Sequence, residues 1–292
     1  MSSKSGITFN PSFFSKSQVK FHIFLMSLSV VMGLPIIFVI SHAFKPYNEL
    51  FAYPPRFFVQ QPTLQNFTRL FLFSSESGVP MTRYLFNSVL VTTIVILLTI
   101  IISSLSAYAL SKLEFKGKET FNKINTYSLM FVPIAVAIPR FLVLINLGIY
   151  NTYLGHIIPL IAMPVGIFLI KQFMDTTVPN ELIEAAKIDG ATNWRIYWSI
   201  ALPLVKPAIV TVAIFAFQVA WSNVEGSNYY MDKETLRTLP FFMSTVIAQQ
   251  GNIAVTAGVG AAAQLIMFLP NLIIFIIMQN KVMASMAQSG IK

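Results

Sequence analysis

Residues 179–203 read Pro179-Asn-Glu-Leu-Ile-Glu-Ala-Ala-Lys-Ile-Asp-Gly190-Ala-Thr-Asn-Trp-Arg-Ile-Tyr-Trp-Ser-Ile200-Ala-Leu-Pro203. The first half is patterned as a short helix, with Thr177 as a cap and Pro179 near the first turn, where a missing N–H costs nothing. Leu182, Ala185, Ala186 and Ile188 fall on one apolar side at helical spacing. Asp189-Gly190 ends the helix, because glycine accepts the left-handed backbone that turns a chain after a last helical residue. A second helix then starts near Thr192 and runs through Trp194, Ile196, Tyr197 and Ile200, and Pro203 and Pro207 mark the next apolar run. Four of the eleven acidic residues, Asp175, Glu181, Glu184 and Asp189, gather in the 171–206 segment. A solvated loop does not need two tryptophans and this apolar spacing. A helix–glycine–helix protrusion with small residues on one side fits a socket on another protein, since alanine lets a partner surface come close.

The chain around this segment is built for a different solvent. Of 292 residues, 55% are hydrophobic and 11% charged, against roughly 25% charged in an ordinary soluble domain. So few charges cannot keep a soluble surface of this size hydrated. The absence of cysteine excludes a disulfide scaffold, a thiolate metal site and a cysteine nucleophile. Six stretches reach the roughly 20 apolar residues needed to cross a bilayer: Phe21–Phe44, Tyr84–Leu110, Ile124–Leu147, Ile149–Ile170, Pro207–Val224 and Val259–Asn280. None holds Asp or Glu, and Arg140 is their one strongly basic residue. Only Gly148 divides the third and fourth, and the turn residues of Asn146–Thr152 predict a tight loop there. The expectation is an all-α polytopic membrane protein with six transmembrane helices spanning residues 21–280, between tails at 1–20 and 281–292. Two sizeable loops (45–83 and 225–258) face one side and the 171–206 loop faces the other.

Charge placement orients these spans. Thirteen Lys and Arg lie in the N-terminal tail, residues 111–123, residues 171–206 and the C-terminal tail, whereas six lie in the alternate loops. The positive-inside rule makes the first set cytoplasmic, both termini included. The net charge of +9 is thereby a topology signal and not a nucleic-acid footprint. The apolar run before Ser41-His-Ala43 is longer than the 7–15 residues or so of a secretory signal core, so the first span is expected to stay uncleaved.

The spans carry no acidic residue to couple a proton or sodium gradient, and the chain has no phosphate-binding glycine loop, HExxH or nucleophile elbow. A non-catalytic subunit is expected, without a metal or cofactor of its own, and any energy source must sit on another chain. His22, His42 and His156 lie near span ends, without a carboxylate in sequence reach. Arg140 follows Pro139 in a stretch already interrupted by Pro133, and two accounts stay open for it: reaching to the interface, or facing a water-filled path.

Glu184-Ala185-Ala186, three residues, Gly190, nine residues, Ile200, one residue and Leu202-Pro203 resemble the EAA loop of ABC-importer permeases (EAA-x3-G-x9-I-x-LP) at every defining position. Pro62-Thr-Leu-Gln-Asn-Phe67, Leu236-Arg-Thr-Leu-Pro240 and Ser289-Gly-Ile-Lys292 are similar to the smaller permease of carbohydrate importers of the maltose type. The resemblance implies a type I importer permease fold in the prokaryotic inner membrane, with the EAA loop forming a coupling helix in a cleft of a separate ATPase. Glu184 would pair with a basic group, Ala185 and Ala186 would pack in the cleft, Asp189-Gly190 would turn the chain, and Ile200, Leu202 and Pro203 would brace the loop. Implied partners are a second related permease, two ATPase subunits carrying ATP and Mg, an extracytoplasmic sugar-binding protein and an oligosaccharide. Polar and aromatic residues suited to a sugar path are Gln218, Trp221, Ser222 and Asn223, with Asn146, Tyr150 and Arg140; helix-helix bonding and interfacial anchoring are the competing roles. EAA loops also serve importers of polyamines, phosphate and sugar-phosphates, and a channel or secondary carrier is the rival class.

Overall fold

The computed structural model describes residues 19–76, 78–248 and 253–289. The tail expected at 1–20 therefore lies almost wholly outside the described residues, as do Gly290-Ile-Lys292. In chain order the elements are α1 (Val19–Phe44), α2 (Tyr47–Leu50), α3 (Gln65–Glu76), α4 (Met81–Lys112), α5 (Lys118–Ser128), a 3-10 turn (Pro133–Val136), α6 (Ala137–Asn146), α7 (Tyr153–Ile161) and α8 (Pro164–Thr177). There follow α9 (Asn180–Ile188), α10 (Asn193–Ile196), a π turn (Tyr197–Ala201), α11 (Leu202–Leu204), α12 (Lys206–Trp221), α13 (Glu225–Tyr230), a 3-10 turn (Glu234–Leu236), α14 (Leu239–Ala248) and α15 (Ile253–Ser289). Among the described residues there is no strand.

Among the described residues four helical runs are long and apolar enough to cross a membrane: Val19–Phe44, Met81–Lys112, Tyr153–Thr177 and Ala257–Gln279. A fifth arises if Asn193–Leu204 and Lys206–Trp221, bent by 79° at Val205, form one span. The span expected at Ile124–Leu147 is not one helix. It breaks between α5 and α6, because Pro133 has no N–H to continue the ladder and the chain restarts through a 3-10 turn. Pro139 then falls in the first turn of α6, where an N–H would have had no partner anyway. The predicted turn after α6 is present, with Gly148 and Asn151 both at positive φ.

α4 is the central helix, packed on α7, α8, α12 and α14. Its inward residues include Asn87, Ser88, Val91, Thr92, Val95, Thr99, Ser103 and Ala107, which recur every three or four positions and so share a face. Small side chains in such a seam let backbones approach closely. At Gly166 of α8 a Cβ would lie 2.9 Å from Ser103 Oγ and 3.0 Å from Val212, so glycine is what lets α8 sit this close. One buried cluster, with Ala107, Ile170, Ile183, Ile196, Tyr197, Ala201 and Val205, fills the end of the bundle that holds the Glu184 motif. Another, with Leu70, Tyr84, Phe217, Trp221, Leu239 and Phe242, fills the opposite end. The 225–258 region expected as a loop holds α14, whose Leu239, Phe241, Phe242, Met243 and Val246 are buried. Ten residues are too few to cross a bilayer, and α14 packs on α4 and α15.

Candidate functional site

At the motif end, α8 runs out at Thr177 and Val178 is fully buried. Lys112 Nζ, at the end of α4, donates to Val178 O (2.6 Å) and Asn180 Oδ1 (3.0 Å), which fixes where α9 begins. Pro179, rather than Thr177, takes the cap position, with no side-chain cap bond. α9 is attached by its inner side: Ile183 is 4% exposed and belongs to the end cluster, with Ala186 packed against it. The other apolar residues point away from the protein. Leu182 is 41% and Ile188 86% exposed, and Glu184, Ala185, Asp189 and Gly190 are exposed too.

The turn after α9 is fully hydrogen-bonded. Gly190 N donates to Lys187 O (3.0 Å) and Ala191 N to Ala186 O (2.9 Å), the paired bonds of a Schellman termination. Gly190 carries φ +79° with nothing within 4 Å of a Cβ, so the glycine is required by the backbone and not by crowding. Thr192 caps α10, accepting from Arg195 N at 3.3 Å. Pro203 has no N–H to offer Ser199, and the helix ahead of it widens into the π turn, where Leu202 N donates to Tyr197 O. The 79° bend at Val205 follows.

Ile200 and Leu202 are part-buried against the end cluster and Pro203 is exposed. Tyr197 anchors this arm: its hydroxyl lies 2.7 Å from Ser104 Oγ on α4, and its ring packs 5.4 Å from Tyr108. Trp194 and Trp198 pack on Tyr197 at 5.7 and 5.2 Å while staying 60% and 50% exposed. The result is an arm pinned to α4 and α8 that presents Leu182, Ala185, Ile188 and two indole rings outward.

The opposite end is tied differently. Asn87, fully buried, donates to Thr235 O (2.9 Å) and Arg237 O (2.8 Å) and accepts from Tyr153 OH (2.8 Å). Arg83 Nε donates to Thr235 O, Tyr84 OH to Glu234, and Leu239 N to Ser88 Oγ. His156, 2% exposed, has Nε2 3.1 Å from Leu236 O; a carbonyl only accepts, so that nitrogen carries the proton. The Leu236–Pro240 match is thus a strap held by α4 and α7. Asn66, in the Pro62–Phe67 match, donates to Ala43 O (3.0 Å) and Lys45 O (2.8 Å) past the end of α1. The Phe67 ring packs at a tilt against Phe44, 5.2 Å between centroids. Lys45, fully buried, donates to Arg56 O, and burial pulls its ammonium below the usual lysine range.

The residues considered for a sugar path do not converge. Trp221 is buried, stacked on Phe217, and donates from Nε1 to Met267 O (3.2 Å), which joins α12 to α15. Asn223 Oδ1 accepts from Gly226 N at the start of α13. Tyr150 OH donates to Asp232 Oδ1 (2.7 Å), and this bond raises its phenol above the ordinary value. Asn146 and Gln218 are exposed. Ser222 lines an open groove of about 370 Å³ with Ser244, Gln264 and Asn271, residues on α14 and α15 that local spacing did not single out. Arg140 is paired: Nη1 lies 3.4 Å from Glu225 Oε1, which also accepts from Tyr230 OH (3.3 Å). Burial and the Glu225 charge push the Tyr230 phenol up.

This fold has a counterpart in the crystal structure of a bacterial ABC transporter involved in the import of the acidic polysaccharide alginate. The TM-score is 0.76 at 21% identity, covering 92% of this chain and 98% of that one. A helical permease of the ABC importer class is what fold and motif define. Residues 122–282 match the family model described as binding-protein-dependent transport system inner membrane component, and the chain belongs to that family. Similar chains include the sulfoquinovosyl glycerol transport system permease protein SmoH of Agrobacterium fabrum, 30% identical over 96% of each chain. Another is the arabinooligosaccharides transport system permease protein AraQ of Halalkalibacterium halodurans, 29% identical over 91% of this chain and 93% of the relative.

Proposed function

We propose that the chain is the non-catalytic permease subunit of an ATP-driven, binding-protein-dependent importer, and that it carries a glycoside or oligosaccharide across the inner membrane by alternating access. The observation that carries this reading is the exposed apolar side of α9, held on a fully bonded glycine turn within a complete EAA motif. α9 would act as the coupling helix, with Leu182 and Ala185 in a cleft of a separate ATPase, Ala186 at the edge of that face against the chain's own core, and Glu184 beside a basic group. An exposed ion pair contributes only about 0–1 kcal/mol, so shape and buried apolar area would dominate the docking. Because the arm is pinned to α4 through both Tyr197 and Lys112 and follows directly on α8, α9 would move with both helices as one lever. The complex would hold a second related permease and two ATPases with ATP and Mg. A sugar-binding protein would dock at the opposite end, where the bonded strap offers a firm platform. This places both termini and the EAA loop in the cytoplasm, in line with the lysine excess on that side.

The sugar assignment leans on the relatives, whose named substrates are arabinooligosaccharides and sulfoquinovosyl glycerol. Among the alternatives, phosphate and sugar-phosphates would seek a free positive charge in the path, and Arg140 already faces Glu225. The test is uptake in proteoliposomes holding the whole complex, with labelled glycan recovered from the copurifying binding protein. Uptake that stops without ATP is expected; uptake that survives ATP depletion would indicate a carrier or channel.

A further inference from the structure

Two grooves lie end to end where α4, α5 and α8 meet on the motif side. The first, about 690 Å³, is lined by charged residues that include Glu114, Lys118, Glu119, Lys171 and Asp175. The second, about 390 Å³, is mostly apolar and is lined by residues that include Ala109, Phe121, Ile124 and Ile167. They share Leu110 and Phe115, so the two open grooves adjoin at these residues. All three helices contribute to both halves. α4 contributes Ser106 and Ala109 to the apolar half and Ser111, near its C-terminus, to the charged half. α8 contributes Ile167 and then Lys171 and Asp175, while α5 starts charged at Lys118 and Glu119 and ends beside the apolar half at Ser128. α8 thus passes from apolar to charged towards its C-terminus, as a helix does where it leaves one bilayer leaflet, while α5 lines the groove with Asn122 and Asn125 as well as Phe121 and Ile124.

The charges in the polar half are mixed and already poised. Lys118 Nζ lies 2.8 Å from Glu114, and Lys171 Nζ lies 2.8 Å from Asp175, which also accepts from Ser111 Oγ. Two ammonium groups suit a phosphate, which accepts charge-assisted hydrogen bonds. Three carboxylates suit an ammonium group that donates. An anionic headgroup without an amine would satisfy the lysines and leave three carboxylates facing negative charge. We propose that these adjoining grooves hold one phospholipid of the adjoining leaflet, with the phosphate and primary amine of a phosphatidylethanolamine-type headgroup in the charged half and an acyl chain along Phe121, Ile124 and Ile167. The lipid fills the space between α5 and α8 and ties the broken α5–α6 region to the helix that carries α9.

Native mass spectrometry of the delipidated whole complex, titrated with dioleoylphosphatidylethanolamine or dioleoylphosphatidylglycerol, tests this. The ethanolamine lipid should be retained in preference, and Lys118→Gln with Lys171→Gln should weaken it by roughly tenfold, about the loss of one charge-assisted hydrogen bond. Ile124 is 56% exposed, so Ile124→Trp fills the apolar half without disturbing the core and should also expel the lipid. That variant decides the matter if the lysine variant does not assemble. Equal retention of the two lipids, or retention unchanged in these variants, overturns the proposal. So does a cross-link from a cysteine at position 124, in a chain that has none of its own, to the second permease in place of lipid.

Discussion

At one end of the bundle, the carbonyls of Thr235, Leu236 and Arg237 are taken by Asn87, Arg83 and His156. At the other, α9 hangs from Ile183 and a Lys112 bond while Leu182, Ala185 and Ile188 face outward. The strap's backbone carbonyls find their partners within the chain, as buried backbone must. The α9 arm completes its own hydrogen bonding at Gly190 but leaves apolar surface uncovered, as an element does when its packing partner is another molecule. The two ends are therefore suited to different tasks: one holds a shape, the other passes on a displacement.

This contrast breaks most severely at Asn87. Asn87→Leu would leave Arg237 O without a partner and take one bond each from Thr235 O and the Tyr153 hydroxyl, which keep Arg83, in a buried place, at about 4 kcal/mol in all. Thermal unfolding of the purified complex should show a markedly lower midpoint, with binding-protein affinity lost and α9 docking retained. Ile183→Ala strikes the other end, removing the anchor of α9 for about 3 kcal/mol. Here ATPase stimulation by loaded binding protein should fall while binding-protein affinity holds. Arg140→Gln, which removes a part-exposed ion pair worth about 1 kcal/mol, should lower the unfolding midpoint by only a small step. Glu184→Gln, at an exposed position, should shift ATPase affinity least, within about 1 kcal/mol. A large loss from Glu184→Gln would mean that docking rests on charge and not on the apolar face.

Four spans and the helix–glycine–helix segment were legible because their signals are local: unbroken apolar runs and a glycine after a periodic helix. The break before α6 was signalled by Pro133, yet hydropathy carries straight through it. α14 escaped because ten apolar residues in a loop do not reach spanning length. The side that α9 buries in its own chain was not legible, for a physical reason. Leu182, Ala185 and Ile188 share an apolar face with each other, but Ile183 is the residue that meets the α4–α8–α12 core, and helical spacing alone does not say which of two apolar faces has a partner in the same chain. Asn87 and His156 were not legible as clamps, since their partners are backbone carbonyls 80–150 residues away, and carbonyls have no sequence signature.

The central claim, that α9 transmits the ATPase stroke through its glycine turn, is tested most directly by paired substitutions at Gly190. A Cβ meets no neighbour there, so the outcome isolates backbone conformation. Asparagine visits the left-handed region readily, whereas a β-branched residue does not. In a properly inserted complex in proteoliposomes, Gly190→Asn should keep substrate-stimulated ATP hydrolysis and uptake near the parent level, and Gly190→Val should abolish both. Normal uptake by Gly190→Val would contradict the account.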